Sequence, residues 1–259
     1  MMLNVNGLMV LAMVLCRTTG VIVFNPILGR RSIPGIVKAA LALGIAYPVA
    51  VRFQYVPVVD YGTIELFLVM IKEFAVGFAM GFVMQLFLGI FHLSGEQLDM
   101  QMGMQMGSMY DPSSNTQISF TGNLLTIFFI MLFFISNSHM NLLAIATKSF
   151  DVIPLGYAAI NPEIGLHVAQ MFAYILVYAI QLTLPVMIVE ITTEVAIGIL
   201  MRVVPNINVF VVNLQLKLAI GIIVLITMIP ILTRYLSKLN YIMLERVEEI
   251  LLFFSSGTM

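Results

Sequence analysis

Long apolar runs with few polar interruptions occupy most of the chain. A membrane-spanning helix needs about 20 mostly apolar residues. Runs that meet or approach this length predict helices over residues 3–24, 36–51, 66–93, 168–204 and 209–232. Because proline restricts the residue before it, Asn25-Pro26 is expected to end the first helix. The pattern therefore predicts an all-α, polytopic membrane protein.

One apolar run is broken in its middle. Residues 124–135 are strongly apolar, and the polar sequence Ser-Asn-Ser-His at 136–139 separates them from the apolar run 140–146. This pattern predicts a broken or re-entrant helix. The strongest linker follows at 151–163, which is rich in proline, glycine and asparagine. We place the internal boundary there, which gives parts 1–160 and 161–259.

The second part is expected to begin with a helical hairpin. Residues 168–204 and 209–232 have helical patterns, and Pro205-Asn206 separates them. The tail, 235–254, mixes charged side chains with Leu and Ile at helical spacing. It is predicted to form an amphipathic helix at a membrane interface or a partner surface.

Composition supports a membrane location. Hydrophobic residues make up 61% of the 259 residues and charged residues 10%, whereas soluble domains carry about 25% charged residues. Lys and Arg number 12 and Asp and Glu 13, for a net charge of −1, so no basic field favours nucleic acid. The single cysteine, Cys16, cannot form an intramolecular disulfide, and no Cys or His spacing suggests a metal site. We expect no cofactor.

Catalytic clusters of nucleophile and base are not evident, so no enzymatic activity is expected. Ionisable residues inside apolar helices are costly in lipid and often mark a pathway. Glu190, Glu194 and Arg202 are expected to line one face of a helix, and Lys217 in the facing arm is a candidate partner for one of the carboxylates. A structural ion pair and a pathway role both remain open for this group.

Three glycines of one predicted helix form a candidate packing face. Gly77 and Gly81 are four residues apart, and Gly89 lies two further turns along. Small residues at this spacing allow another helix backbone to approach closely within a membrane. The alternative is plain tolerance of glycine in membrane helices.

Residues 94–121 are too polar to face lipid, and methionine takes alternate positions between Met100 and Met106. In an extended chain these methionines would share one side, and methionine adapts to irregular shapes. The functional interpretation is a deformable seal across a conduit, and the alternative is a flexible packing segment. The candidate seal residues are Met100, Met102, Gly103, Met104, Met106, Gly107, Met109, Tyr110, Asp111 and Pro112.

Several short blocks together resemble the FliR/SctT family, the export-gate proteins of flagellar and type III secretion systems. They are Ser-Gly-Glu-Gln at 94–97, Met102-Gly103, Asp111-Pro112, His139, Arg-Val-Val-Pro-Asn-Ile-Asn-Val-Phe at 202–210, and Lys217. The likeness covers nearly the whole chain, from the turn at Pro34 to Lys217. The family often has Gln where this chain has Asn206 and Asp where it has Glu194.

The resemblance implies a subunit in a hetero-oligomeric helical ring of the bacterial inner membrane, in a flagellar basal body or an injectisome base. Such subunits are similar to a fusion of a FliP-type part with a FliQ-type hairpin, which here would be 1–160 and 161–259. They assemble with FliP-type and FliQ-type subunits and with FlhB-type and FlhA-type export proteins. The resemblance also implies that the substrates are unfolded proteins and that the segment after the Gly-Glu block, about 94–121 here, forms a plug.

Two other classes of function compete with an export gate. A secondary transporter would use Glu190, Glu194 and Lys217 as an intramembrane proton relay, but paired halves of similar hydropathy are not found. An enzyme acting on lipid is the other class, but the chain shows no pair of nucleophile and base.

Two features stay open. The sequence does not distinguish a flagellar system from an injectisome. It does not fix which way the chain crosses the membrane, because basic residues lie near both ends.

Overall fold

A computed structural model describes residues 5–53, 62–104, 119–203 and 209–255, and every regular element in these ranges is a helix. The helices, in chain order, are α1 (Val5–Val23), α2 (Gly35–Phe53), α3 (Thr63–Gln101), α4 (Phe120–Ile135), α5 (Ser138–Val152), α6 (Ile164–Val203) and α7 (Val209–Ser255). The all-α prediction is confirmed.

Five helices in the described ranges are long and apolar enough to cross a membrane. These are α1, α2, α3, α6 and α7. The pair α4 and α5 would give a sixth span, but the two helices are bent by 72° at the break between them. The predicted multi-pass membrane protein with a broken helix is therefore confirmed.

The break follows from the polar residues that the sequence places there. Asn137 has φ 56° and ψ 21°, in the left-handed region, which Asn tolerates better than most residues. The flanking hydroxyl oxygens of Ser136 and Ser138 lie 2.8 Å apart in a hydrogen bond. Asn137 thus lies between α4 and α5, and its backbone carbonyl accepts the N–H of Met140 in the first turn of α5.

Two helix boundaries differ from the prediction. Helix α3 continues to Gln101, so the polar segment expected from residue 94 is helical for two more turns because its side chains find partners within the protein. Helix α7 runs without a break to Ser255, so the predicted tail at 235–254 is the continuation of the hairpin arm. Both Pro185 and Pro230 lie inside helices.

The chain divides into two compact units by contacts. The first contains Met1–Phe87, Phe133–Met171 and Asn240–Met259, and the second contains Leu88–Leu132 and Phe172–Leu239. The predicted boundary between residues 160 and 161 concerns likeness to two partner subunits and stays a prediction.

Apolar side chains of three helices form a core in the first unit. Val10 and Val14 of α1 pack with Val49 of α2 and Phe150 of α5. The connection between α5 and α6 is bonded to the end of α7, since the backbone N–H groups of Ala159 and Asn161 donate to the carbonyls of Phe254 and Phe253. In the second unit, the buried rings of Phe91 and Phe129 lie 4.6 Å apart.

Candidate functional site

The hairpin arms α6 and α7 run antiparallel in the second unit and bring two predicted charges together. Lys217 Nζ lies 3.1 Å from Glu194 Oε1, with the lysine side chain 14% exposed and the glutamate side chain 57% exposed. Further along the pair, the Tyr235 hydroxyl donates to the Tyr178 carbonyl at 3.0 Å. The ion pair therefore lies at the margin of the hairpin, with the lysine as its less exposed member.

Glu190, Glu194 and Arg202, all expected on one helix face, differ in burial, and Arg202 lies farthest around the helix from Glu190. Glu190 is buried and Arg202 is exposed. The reason is helical drift, because 12 residues at 3.6 per turn rotate Arg202 by about 120° from Glu190. Neither carboxylate oxygen of Glu190 has a hydrogen-bond partner among the described residues.

Gly221 has no side chain, which leaves a notch in the hairpin, and Met102, the residue after α3, fills this notch. Gly221 of α7 is buried, and a Cβ on it would lie 2.5 Å from both Cγ and Sδ of Met102 and 2.9 Å from Oε1 of Glu190. Met102 is completely buried, and a Cβ on Gly103 would lie 2.7 Å from Cδ1 of Leu214. Gly103 has φ +74°, which glycine adopts without strain. The chain is therefore held against the hairpin at the point where it leaves α3.

These contacts divide the candidate seal residues. Met100 lies in the last turn of α3 and is 59% exposed, whereas Met102 is fully buried. The alternate methionines at this end therefore do not share one side, because the chain is helical up to Gln101 and then turns. Met104 is half-buried. Met106, Gly107, Met109, Tyr110, Asp111 and Pro112 lie outside the described residues.

Gly221→Ala is expected to lower the melting temperature of the assembled protein, because the added methyl group overlaps Met102. Met102→Ala should cost less in the Gly221→Ala background than in the wild-type chain, since the two side chains compete for one space. Thermal unfolding of all four combinations measures this coupling. Gly198→Ala, whose Cβ would meet nothing within 4 Å, is the matched control. Additive effects would contradict the contact.

The predicted glycine face has two contacting members. A Cβ on Gly77 would lie 2.0 Å from the backbone oxygen of Arg17, and one on Gly81 would lie 2.8 Å from the backbone of Phe24. Gly20 of α1, which the prediction missed, completes the contact, since its Cβ would lie 2.7 Å from the oxygen of Phe74. A Cβ on Gly89 would meet no described atom within 4 Å, so that glycine takes no part in this contact.

A buried ion pair in the first unit was also missed from the sequence. Arg17 of α1 and Glu73 of α3 are both completely buried, with Nε and Nη2 of Arg17 each 2.6 Å from Glu73 Oε2. The guanidinium also donates to the backbone oxygens of Ser149 at 2.8 Å and Ile153 at 3.0 Å. Glu73 Oε1 accepts the N–H of Gly156 at 2.9 Å. Arg17 thus ties α1, α3, α5 and the connection after α5 together.

The sequence carried a signal for this pair. An arginine within an apolar run is costly unless it faces protein or water, the same argument that singled out Glu190. The guanidinium carbon also lies 4.3 Å from the centre of the Phe150 ring, so a cation–π contact adds to the ion pair.

Comparisons with known proteins place the chain in one family. Residues 8–241 match the family model described as bacterial export proteins, family 1. The flagellar biosynthetic protein FliR of Escherichia coli (strain K12) is 27% identical over 225 residues, which cover 87% of this chain and 86% of that protein. FliR of Bacillus subtilis (strain 168) is 25% identical over 242 residues, covering 92% and 93%.

A relative with a different name is similar over a comparable length. The surface presentation of antigens protein SpaR of Shigella sonnei is 27% identical over 217 residues, which cover 82% of each chain. The family model spans most of the helices described above, from α1 into α7. The chain therefore belongs to the bacterial export proteins of family 1.

Proposed function

We propose that this chain is a subunit of the protein-export gate of a bacterial flagellar or type III secretion apparatus. The observation that carries the proposal is the family match over residues 8–241. Relatives named for flagellar biosynthesis and for surface presentation of antigens each align with more than four-fifths of this chain. The secondary-transporter alternative gains no support from these relatives.

One apolar surface of α6 is open to lipid or to other membrane subunits. Helix α6 exposes large apolar side chains along its length, and these include Ile180, Leu184, Ile188, Ile191, Val195 and Ile199. We propose that FliP-type and FliQ-type subunits cover such faces in a helical ring, with FlhB-type and FlhA-type proteins beside it. The bacterial inner membrane is the corresponding location, and unfolded proteins are the substrates.

The segment after α3 is proposed to seal the pore at rest. A conduit wide enough for an unfolded chain would leak ions unless an adaptable segment fills it. Met102 is held in the notch of the hairpin, so the sealing methionines begin at Met104 and continue through Met106 and Met109. The buried Met102 becomes the anchor of this segment, which refines its expected role. The ion pair of Glu194 and Lys217 is then proposed to join the hairpin arms beside that anchor, with Glu190 against Gly221.

Exchanging Met104, Met106 and Met109 for serine is expected to raise ion leak several-fold in cells that assemble the complex. Serine is smaller and polar, so it cannot form the soft apolar contact that methionine provides. Leak is measured as loss of membrane potential, and co-purification of the partner subunits confirms assembly. Deletion of residues 103–115 should have a larger effect in the same direction.

The matched control exchanges three exposed helical methionines, Met131, Met140 and Met201, for serine. This variant should leave membrane potential at the wild-type value if it assembles. Wild-type membrane potential in the variant with exchanges at 104, 106 and 109, with normal assembly, would contradict the seal. Failure of the chain to co-purify with any apolar partner subunit would contradict the export-gate assignment itself.

A further inference from the structure

We infer that Asp99 is a positioning residue that clasps together the two ends of the chain segment between α3 and α4. The inference rests on the proposed function, because it assigns the means by which the seal segment is held in place. It depends only on residues at the two ends of that segment, and these lie in the described second unit.

The backbone of Asp99 binds the chain just after α3, and its side chain binds the chain at the start of α4. Its backbone carbonyl accepts the N–H of Met104 at 2.9 Å. Its carboxylate accepts the hydroxyl of Ser119 at 2.7 Å and the backbone N–H of Thr121 at 3.2 Å. One residue thus holds both ends, whatever path residues 105–118 follow.

The Asp99 carboxylate is a strong acceptor in this place. The residue is buried, and hydrogen bonds to an ionised group are roughly twice as strong as those between neutral groups. Ser119 is oriented for its part, because its oxygen accepts the N–H of Gly122 at 2.9 Å while its own O–H points to Asp99. The first turn of α4 is therefore built around the aspartate.

A glycine pair one turn before Asp99 fixes the crossing of the two helices. A Cβ on Gly95 would lie 2.1 Å from both Cα and N of Gly122, so the backbones of α3 and α4 are in direct contact. On the next face of α3, the Ser94 hydroxyl donates to the Ala179 carbonyl of α6 at 3.2 Å. The end of α3 is thereby attached to α4 and α6.

Such a clasp has a mechanical consequence for the seal. Bringing the two ends of a segment together costs conformational entropy. The hydrogen bonds of Asp99 and the contact of Gly95 with Gly122 offset this cost, so the segment itself needs no contacts to keep its ends together. These contacts are expected to keep the ends of α3 and α4 in place whatever occupies the pore.

The test measures the distance between the two ends directly. Spin labels are placed at Met100 and Phe120, which are both exposed at the ends of α3 and α4, after replacement of Cys16 by alanine in the assembled complex. The wild-type chain is expected to give a narrow distance distribution. Asp99→Ala should broaden it and raise ion leak several-fold, whereas Asp99→Asn, which keeps an acceptor oxygen, should restore most of both properties.

A matched glycine pair tests the second element. Gly95→Ala should broaden the distribution, whereas Gly89→Ala on the same helix, where a Cβ meets nothing within 4 Å, should not. Ser119→Ala removes the hydroxyl that bonds both Asp99 and the Gly122 N–H but keeps the Asp99 carboxylate and its bond to Thr121, so a partial broadening is expected. Unchanged distributions in Asp99→Ala and Ser119→Ala would overturn the clasp.

The clasp and the seal can fail separately. If deletion of residues 103–115 causes leak but Asp99→Ala changes neither distance nor leak, the clasp is wrong and the seal stands. If the deletion causes no leak while Asp99→Ala broadens the distance distribution, the clasp stands and the proposed sealing function is wrong.

Discussion

Arg17→Ala is expected to be among the most damaging single substitutions in the chain. It leaves the Glu73 carboxylate fully buried without its counter-ion and removes the donor to the Ser149 and Ile153 carbonyls. Breaking a buried ion pair by removing one partner costs about 3–5 kcal/mol. We expect the variant to accumulate poorly and to unfold at a lower temperature when it is purified with its partner subunits.

The double change Arg17→Leu with Glu73→Leu should recover most of this loss, because both buried charges are then absent. Arg52→Ala is the matched control in the same unit. Arg52 pairs with Asp151 at 3.0 Å, but the two side chains are 64% and 44% exposed, and exposed pairs contribute about 0–1 kcal/mol. If Arg17→Ala and Arg52→Ala unfold at the same temperature, the buried pair does not stabilise the chain.

Gly77→Ala is the second substitution with a large expected effect. The added Cβ would lie 2.0 Å from the backbone oxygen of Arg17 and 2.9 Å from the backbone N of Val21. Because these are backbone atoms, α1 must move away from α3, and overpacking of this kind costs about 1–3 kcal/mol or more. The movement would also displace Arg17 from Glu73.

Accumulation of the assembled complex and its melting temperature measure this effect. Gly89→Ala lies on the same helix and adds the same methyl group in open space, so it should match the wild-type protein or gain slightly from alanine's better helix propensity. Equal losses in the two variants would show that helix α3 tolerates no alanine at glycine positions in general. The close contact of α1 and α3 would then not be the cause.

The helices and the break in the fold were predictable because both depend on local sequence. Apolar runs of about 20 residues specify spans, and Asn137 with its flanking serines marks the bend. The end of α3 was not predictable in this way. Polar residues such as Ser94 and Asp99 suggested a loop or a segment inside protein, and only their partners, Ala179 and Ser119, show that they lie in a helix within the protein.

The candidate site was predictable to a smaller extent for the same reason. Because α6 and α7 follow each other in the chain, the sequence predicts a hairpin, and the hairpin brings Lys217 close to Glu194. The anchoring of Met102 beside Gly221 depends on a contact between residues more than a hundred positions apart. Arg17 was visible as a charge within an apolar run, but its partners could not be identified without the fold.

The sequence separations within the Arg17 cluster impose an order on the synthesis of this protein. Glu73 is 56 residues beyond Arg17, and the Ser149 carbonyl is 132 residues beyond it. At about 5–20 residues per second, translation takes roughly 7–26 s to cover the longer interval. During that time the first helix carries an arginine whose insertion into lipid costs about 2.5–3.5 kcal/mol on translocon scales. Helix α1 therefore completes its Arg17 contacts only after Ser149 and Ile153 have been synthesised, and until then its arginine lacks these partners.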